Sequence, residues 1–250
     1  MLRLFKRKKT DSGDTQGTYK FLGTDVHAHL LPGVDDGAPD LETGLGLISA
    51  LQVQGFSKLI TTPHISLDFY PNTRDNLLRQ MDTFQAALME RQVNIEIKLA
   101  AEYMLDDGLL KLLAGTEPLL GFGDNYLLFE MGFVQEDPRL SQIVFEIQAR
   151  GYIPVLAHPE RYPYYYEAGG TDRLFQLRQQ GCHFQLNTIA LSGYYGKPAA
   201  HFAAGWLQAG LYTFAGSDVH HRRHLQALGS VLRSNQLGLL QSANLMNATL

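Results

Sequence analysis

The chain has 250 residues, with 21 Lys+Arg against 25 Asp+Glu and a formal net charge of −4. With 45% apolar and 18% charged residues it has a globular composition, which excludes long disorder. Mild acidity gives no case for a nucleic-acid partner, and no apolar run reaches the ~18 residues of a membrane-crossing helix.

Residues 1–19 read as a basic leader, with Arg3, Lys6, Arg7, Lys8 and Lys9 ahead of a polar stretch. No apolar core of a secretory signal follows, and Leu2 excludes N-myristoylation. The leader is expected to be solvated and mobile, with weak contact to an anionic membrane surface or an acidic partner as the alternative. Residues 20–250 are expected to form one barrel-sized α/β domain.

A first strand is expected at 21–26, running into His27 and His29. Asp40 reads as the N-cap of a helix with Leu41, Leu45, Ile48 and Leu51 on its apolar positions and Gly55 as its stop. A second strand at 57–62 ends at Pro63-His64. The next helix carries Leu77, Met81, Phe84 and Leu88 on one face. Apolar residues then alternate with polar ones through 93–99, a strand period, leading to Glu102. A fourth strand at 126–130 ends at Glu130, and a helix follows with Leu140, Ile143, Val144 and Ile147. Strands at 152–158, 183–187 and 211–218 end at His158, Asn187 and Asp218, with His220 just beyond. Such alternation predicts parallel strands joined by crossover helices. A closed TIM-like βα barrel gathers the C-terminal strand ends on one face, where active sites sit. An open doubly wound sheet is the runner-up, without the Gly-rich fingerprint that would support it.

Five of the nine histidines (His27, His29, His64, His158 and His220) lie at strand ends, in company with Asp or Glu. In His27-Ala28-His29 and Asp218-Val219-His220, alternate residues of an extended segment can face one ion. Glu102 and Glu130 each follow an apolar strand, where an unpaired charge is costly and a cation would offset the cost. Asp36 lies in the run Asp35-Asp36-Gly37. Mixed imidazole and carboxylate donors suit Zn, Mn or Fe(II), and carboxylates admit Mg. About nine candidate ligands exceed the need of one ion, so two or three are implied, an arrangement able to clamp a phosphoryl group and activate water. The one cysteine, Cys182, permits no internal disulfide and suits a reducing, cytoplasmic setting. It has Thr188 where a cysteine phosphatase loop needs Arg, so thiolate chemistry is excluded.

The stretches DVHAHLLPGVDDG (25–37), TTPHI (61–65), AAEY (100–103), LLFEM (127–131), AHPERY (157–162) and GSDVH (216–220) resemble, in order, the motifs of the polymerase-and-histidinol-phosphatase family. Within it the likeness is to the bacterial protein-tyrosine phosphatases of capsule and exopolysaccharide clusters. The resemblance implies a distorted seven-stranded βα barrel with three divalent ions, manganese first and iron, zinc or magnesium as alternatives. One ion would take His27, His29, Glu102 and Asp218. A second would share Glu102 and add Glu130 and His158. A third would take Asp36, His64 and His220, with Asp35 as the alternative to Asp36. Arg161 matches the family's phosphate-binding arginine, with an ion pair to Glu160 as the other reading. Catalysis would rest on Arg161, Asp218 and His220. A second phosphate arginine would have to be Arg222 or Arg223. The implied partner is the phosphotyrosine tail of a bacterial tyrosine autokinase of polysaccharide export. The rivals are a small-molecule phosphatase of the histidinol-phosphatase type, a catalytically silent metal-binding module, and a metal amidohydrolase. Tyr162, Tyr164, Tyr165, Tyr166, Tyr194 and Tyr195 either pack loops over the rim or line a groove for an aromatic phosphoester.

Overall fold

The structure, a computed structural model, describes residues 17–250. The leader, apart from its last three residues, therefore lies outside the described residues. The packed chain already includes Tyr19, which is buried and donates its hydroxyl to Leu228 O at 2.8 Å.

Among the described residues nine short strands form: β1 (Thr24–Ala28), β2 (Lys58–Thr61), β3 (His64–Ile65), β4 (Glu96–Leu99), β5 (Glu102–Met104), β6 (Tyr126–Glu130), β7 (Ile153–Ala157), β8 (His183–Asn187) and β9 (Phe214–Gly216). Eight α-helices of the described residues lie among and after them: α1 (Leu41–Gln54), α2 (Arg74–Glu90), α3 (Asp107–Ala114), α4 (Leu140–Ala149), α5 (Gly170–Gln179), α6 (Lys197–Gln208), α7 (Arg222–Val231) and α8 (Gln236–Ser242). The strands make two parallel sheets, β1-β2-β4 and β3-β5-β6-β7-β8-β9. The chain is thus α/β with parallel strands, as expected, but the strands form two curled sheets rather than one closed barrel, and the strand count differs. The expected second strand and the third strand with its Glu102 end each appear as two. Pro63 has no N–H to give the ladder, and β2 stops before it. Hydrogen bonds still cross the interruptions, from Ala100 N to Thr61 O (2.9 Å) and from Glu102 N to Pro63 O (3.1 Å).

Three strand boundaries are corrected. Tyr19–Phe21 is a 3-10 turn, so β1 begins at Thr24 rather than 21. Val93 donates its N–H to Leu88 O at the end of α2, which leaves only Glu96–Leu99 of the alternating 93–99 run as strand. The last strand contracts from 211–218 to Phe214–Gly216. Helix α1 has its expected ends: Asp40 accepts from Thr43 N, and Gly55 closes the helix at φ 114, a left-handed value that glycine adopts without strain. In α2, Thr73 and Asn76 cap each other, and Leu77, Met81, Phe84 and Leu88 are all buried.

Two apolar cores result. The larger lies between sheet and helices. The smaller sits inside the curl, built from Val26, Ile60, Leu128, Val155, Phe214 and neighbours. Side chains on a strand alternate between these cores. In β6, Leu127 and Phe129 face the helices, while Tyr126 and Leu128 face inward with Glu130 next in line. The inner core is therefore the floor on which the polar strand ends stand. Backbone bonds from Asp218 N to His27 O (2.7 Å) and from His29 N to Val219 O (3.0 Å) join the end of β1 to the segment after β9. Among the described residues no helix is long and apolar enough to cross a membrane.

Candidate metal centre

The C-terminal strand ends converge on one hollow of ≈ 270 Å³, walled by Asp36, His64, Glu102, Glu130, His158, Asp218 and His220 among others. Three overlapping groups place donor atoms within 4.8 Å of one another: His27, His29, Glu102 and Asp218; His29, Asp36, His64 and His220; and His64, Glu102 and Glu130. His158 stands beside them, with Nε2 at 3.0 Å from Glu102 Oε1 and 3.8 Å from Glu130 Oε2. Every metal-type residue singled out in the sequence is thus brought to one place.

The donors are held from behind. His27 Nδ1 lies 2.9 Å from Gln185 Oε1, and the Gln185 amide is turned by its own bond to Leu186 O. His29 Nδ1 lies 2.8 Å from Asp35 Oδ2. Both partners are acceptors, so each Nδ1 carries the proton and each Nε2 presents a lone pair. Those two Nε2 atoms are 3.1 Å apart and lie 3.1–3.4 Å from carboxylate oxygens of Glu102 and Asp218. Lone pairs so close repel unless a cation lies between them. His158 Nδ1 is buried and has no hydrogen-bond partner, while its Nε2 faces Glu102 Oε1 among the other donors. The residues present fit a cluster of divalent ions.

The same crowding governs protonation. Burial disfavours ionised Glu102 and Asp218, but the surrounding imidazoles, His27 foremost, hold both well below the usual carboxylate range. Burial also opposes charge on His64, yet Asp36, Glu130 and Glu102 lift it to about 10. His158 is shifted the other way, down, by burial and by the Arg161 guanidinium. Without metal, protons do the bridging that cations would do.

Two donors sit on unusual backbone. His158 (φ 36) and Asp218 (φ 50) are in the left-handed region, which costs a non-glycine residue about 1–3 kcal/mol. Bonds from His158 N to Gln185 O (2.9 Å) and from Asp218 N to His27 O (2.7 Å) hold them there. The turn at each position swings the side chain over the rim.

Arg161 pairs with Asp218, Nη1 to Oδ2 at 2.9 Å, and not with Glu160. Glu160 is buried and accepts from Asn187 N and Tyr212 Oη. The guanidinium lies between two rings, 4.5 Å from the centroid of Tyr195 and 5.0 Å from that of Phe133. Arg222 and Arg223 are exposed and outside the walls of the hollow, where His221 and His224 stand instead. Four of the tyrosines pack loops. Tyr162 Oη accepts from Met131 N, Tyr164 Oη donates to Gly132 O, Tyr165 Oη to Glu136 Oε2, and Tyr166 Oη to Glu160 O. Cys182 is buried, and burial pushes its thiol up to about 12, so it is no nucleophile.

The sequence model described as "Capsular polysaccharide synthesis, CpsB/CapC" matches residues 23–227, a span that contains every converging donor. The chain belongs to the CpsB/CapC family. The tyrosine-protein phosphatase YwqE of Bacillus subtilis (strain 168) is 30% identical over 198 residues, covering 79% of this chain and 77% of that protein. The tyrosine-protein phosphatase CpsB of Streptococcus agalactiae serotype V is 25% identical over 203 residues, 79% of this chain and 82% of that one. A solved chain from crystal structures of YwqE from B. subtilis and CpsB from Streptococcus pneumoniae superposes with a TM-score of 0.73 at 27% identity. The match covers 89% of this chain and 96% of that one, and those proteins are described as metal-dependent tyrosine phosphatases.

Some residues of this CpsB/CapC site escaped the sequence reading. Gln185 orients His27, and Asn187 Nδ2 donates to Asp218 Oδ2 at 2.8 Å. The signal for them was present: in HFQLN, His183, Gln185 and Asn187 share one face at a period of two, and polar residues on an inward face need a reason. Phe133 gave no such signal, since an aromatic in a loop is ordinary.

Proposed function

We propose that this CpsB/CapC chain is a metal-dependent phosphomonoesterase that hydrolyses phosphotyrosine in protein. The observation that carries this reading is the meeting, in one hollow, of three overlapping cation-type donor groups with a guanidinium held at their edge. Cations bound there would lower the pKa of a water and offset phosphate charge.

The residues divide as follows. His27, His29, Glu102 and Asp218 hold one ion; Glu102, Glu130 and His158 a second; Asp36, His64 and His220 a third. Asp36 is preferred to Asp35 because Asp35 is occupied behind His29 and by the N–H groups of Gly37 and His64. Asp36 Oδ1 instead faces His64 and His220 at 3.4 and 3.5 Å. Arg161 spends one N–H on Asp218 and keeps the rest of its fork for phosphate oxygens. The ring clamp holds that fork in place before substrate arrives, which limits the entropy lost on binding. Asp218 and His220 line the same hollow and complete the catalytic set. Water activated by bound cations, rather than a side chain, would attack phosphorus, so no covalent enzyme intermediate is expected. The preferred ions are manganese, the partner is the phosphotyrosine tail of a bacterial tyrosine autokinase of polysaccharide export, and the setting is the cytoplasm. The interrupted strands, β2 with β3 and β4 with β5, are each read as one kinked strand, which makes the curl a distorted seven-stranded barrel; the hydrogen bonds across both interruptions support this.

Turnover of a phosphotyrosyl peptide and of histidinol phosphate, before and after chelation, tests the assignment. Peptide hydrolysis that chelation abolishes and manganese restores is the expected result. Much faster hydrolysis of histidinol phosphate, or activity that survives chelation, overturns it.

A further inference from the structure

A second hollow, ≈ 290 Å³, adjoins the metal hollow and shares Phe133, Arg161 and Tyr195 with it. Its remaining walls are Pro163, Tyr166, Pro198 and Ala199. These walls are apolar or aromatic and their polar atoms are engaged. Tyr166 Oη is bonded to Glu160 O, and Tyr195 Oη accepts from Asn187 Nδ2 at 3.2 Å. The rings are also fixed: Tyr166 stacks on Phe202 with centroids 4.6 Å apart and planes at 3°. Apart from the Arg161 guanidinium in the shared wall, a hollow so built offers little to a polar occupant and offers a flat apolar side chain three rings and two prolines.

We propose that this hollow is a specificity subsite for an aromatic residue two positions from the phosphotyrosine in the substrate peptide. The inference rests on the phosphotyrosine reading above and names what else that substrate must carry. In an extended peptide, residues i and i+2 point to the same side about 7 Å apart. With the phosphotyrosine in the metal hollow, its alternate neighbour therefore falls into the hollow across the shared Arg161–Tyr195 wall. A larger apolar groove beside α3, lined by Ile65, Leu67, Pro71 and Leu109, shares no residue with the metal hollow, whereas the hollow above shares three. The subsite also gives the enzyme a ground for preferring protein over a small phosphomonoester, since a small ester has nothing to place there.

The test uses the full chain with its metal and three peptides identical but for Phe at −2, Phe at +2, or Gly at both. Free phosphotyrosine serves as the basal substrate. One Phe peptide should exceed the Gly peptide in kcat/KM by about tenfold, the scale of an apolar specificity pocket. Tyr166→Ala, which removes a wall, and Ala199→Leu, which fills the space, should each erase that preference and leave phosphotyrosine turnover unchanged. Tyr166→Phe keeps the ring and should keep the preference. Equal kcat/KM for all three peptides overturns the subsite and leaves the phosphatase reading standing. An aromatic preference that persists in both Tyr166→Ala and Ala199→Leu also overturns it. Hydrolysis of small alkyl phosphates with no hydrolysis of any phosphotyrosyl substrate overturns both readings.

Discussion

The two ends of the same strands are built on opposite principles. At the inner floor, Val26, Ile60, Leu128, Val155 and Phe214 pack against one another, fully or almost fully buried. One to four residues further along, at the strand ends or just past them, stand His27, Glu130, His158 and Asp218, equally buried but crowded against other donors. Buried apolar groups stabilise wherever they pack, whereas buried donors with too few protons between them do so only with a cation. The floor holds the fold, and the rim carries the chemistry and some strain, with His158 and Asp218 at positive φ.

The sharpest way to break this division is His27→Ala. His27 Nε2 contacts His29, Glu102 and Asp218 at once. Its loss should lower kcat/KM on a phosphotyrosyl peptide by about 10⁴-fold, the scale seen for removal of a central catalytic group. The metal-free melting temperature should stay within a few degrees of wild type, while the rise in melting temperature on adding manganese should vanish. A large fall in metal-free stability would mean that the rim also supports the fold.

Phe214→Ala is the mirror experiment. Phe214 packs edge-on against Phe122 and Tyr126, with centroids 5.4 and 4.8 Å away. Its truncation should cost about 3–5 kcal/mol in denaturant unfolding. Metal stoichiometry and kcat of the folded fraction should be preserved. Loss of metal at temperatures where the variant remains folded would show that the floor positions the donors tightly.

How much of this was legible in the sequence follows the same line. The rim donors stood out because ionisable residues rarely end apolar strands, and six stretches did so in a family order. The packing face of α2 and both ends of α1 were legible because their signals are local. The interruptions at Pro63 and at Ala100-Ala101 were not, since a parallel ladder tolerates a kink when the neighbouring strand supplies the bonds. Arg161 with Asp218 joins residues 57 apart in sequence, and adjacent Glu160 offered the simpler partner. That partner is buried and already engaged by Asn187 and Tyr212.

Arg161→Ala sharpens the comparison inside the rim by separating phosphate holding from metal holding. Asp218 keeps Asn187 Nδ2 and the His27 and His29 contacts, so the metal content should be unchanged. Inorganic phosphate affinity should fall by about tenfold to a hundredfold, as expected for a lost charge-assisted bond of ~1.5–3 kcal/mol. Wild-type phosphate inhibition in this variant would assign the arginine to Asp218 alone.

Glu160 gives the smallest effect and the finest distinction, because it is as buried as the rim carboxylates but lies outside the hollow. Burial raises its carboxyl from 4.5 to about 7, where Glu102 and Asp218 are lowered by the imidazoles around them. A raised carboxyl binds its proton more tightly in the folded state than in the unfolded one. Its contribution to stability is therefore greatest at acid pH and is lost as pH climbs from 4.5 towards about 7. Glu160→Gln removes that loss while leaving an amide oxygen for Asn187 N and an N–H for Tyr212. In metal-free protein the variant should gain on the order of 2 kcal/mol over wild type between pH 5 and pH 8. A stability difference that is the same at both pH values would mean that Asn187 and Tyr212 stabilise the ionised carboxylate enough to offset its burial, so that this carboxyl behaves like those facing the cations.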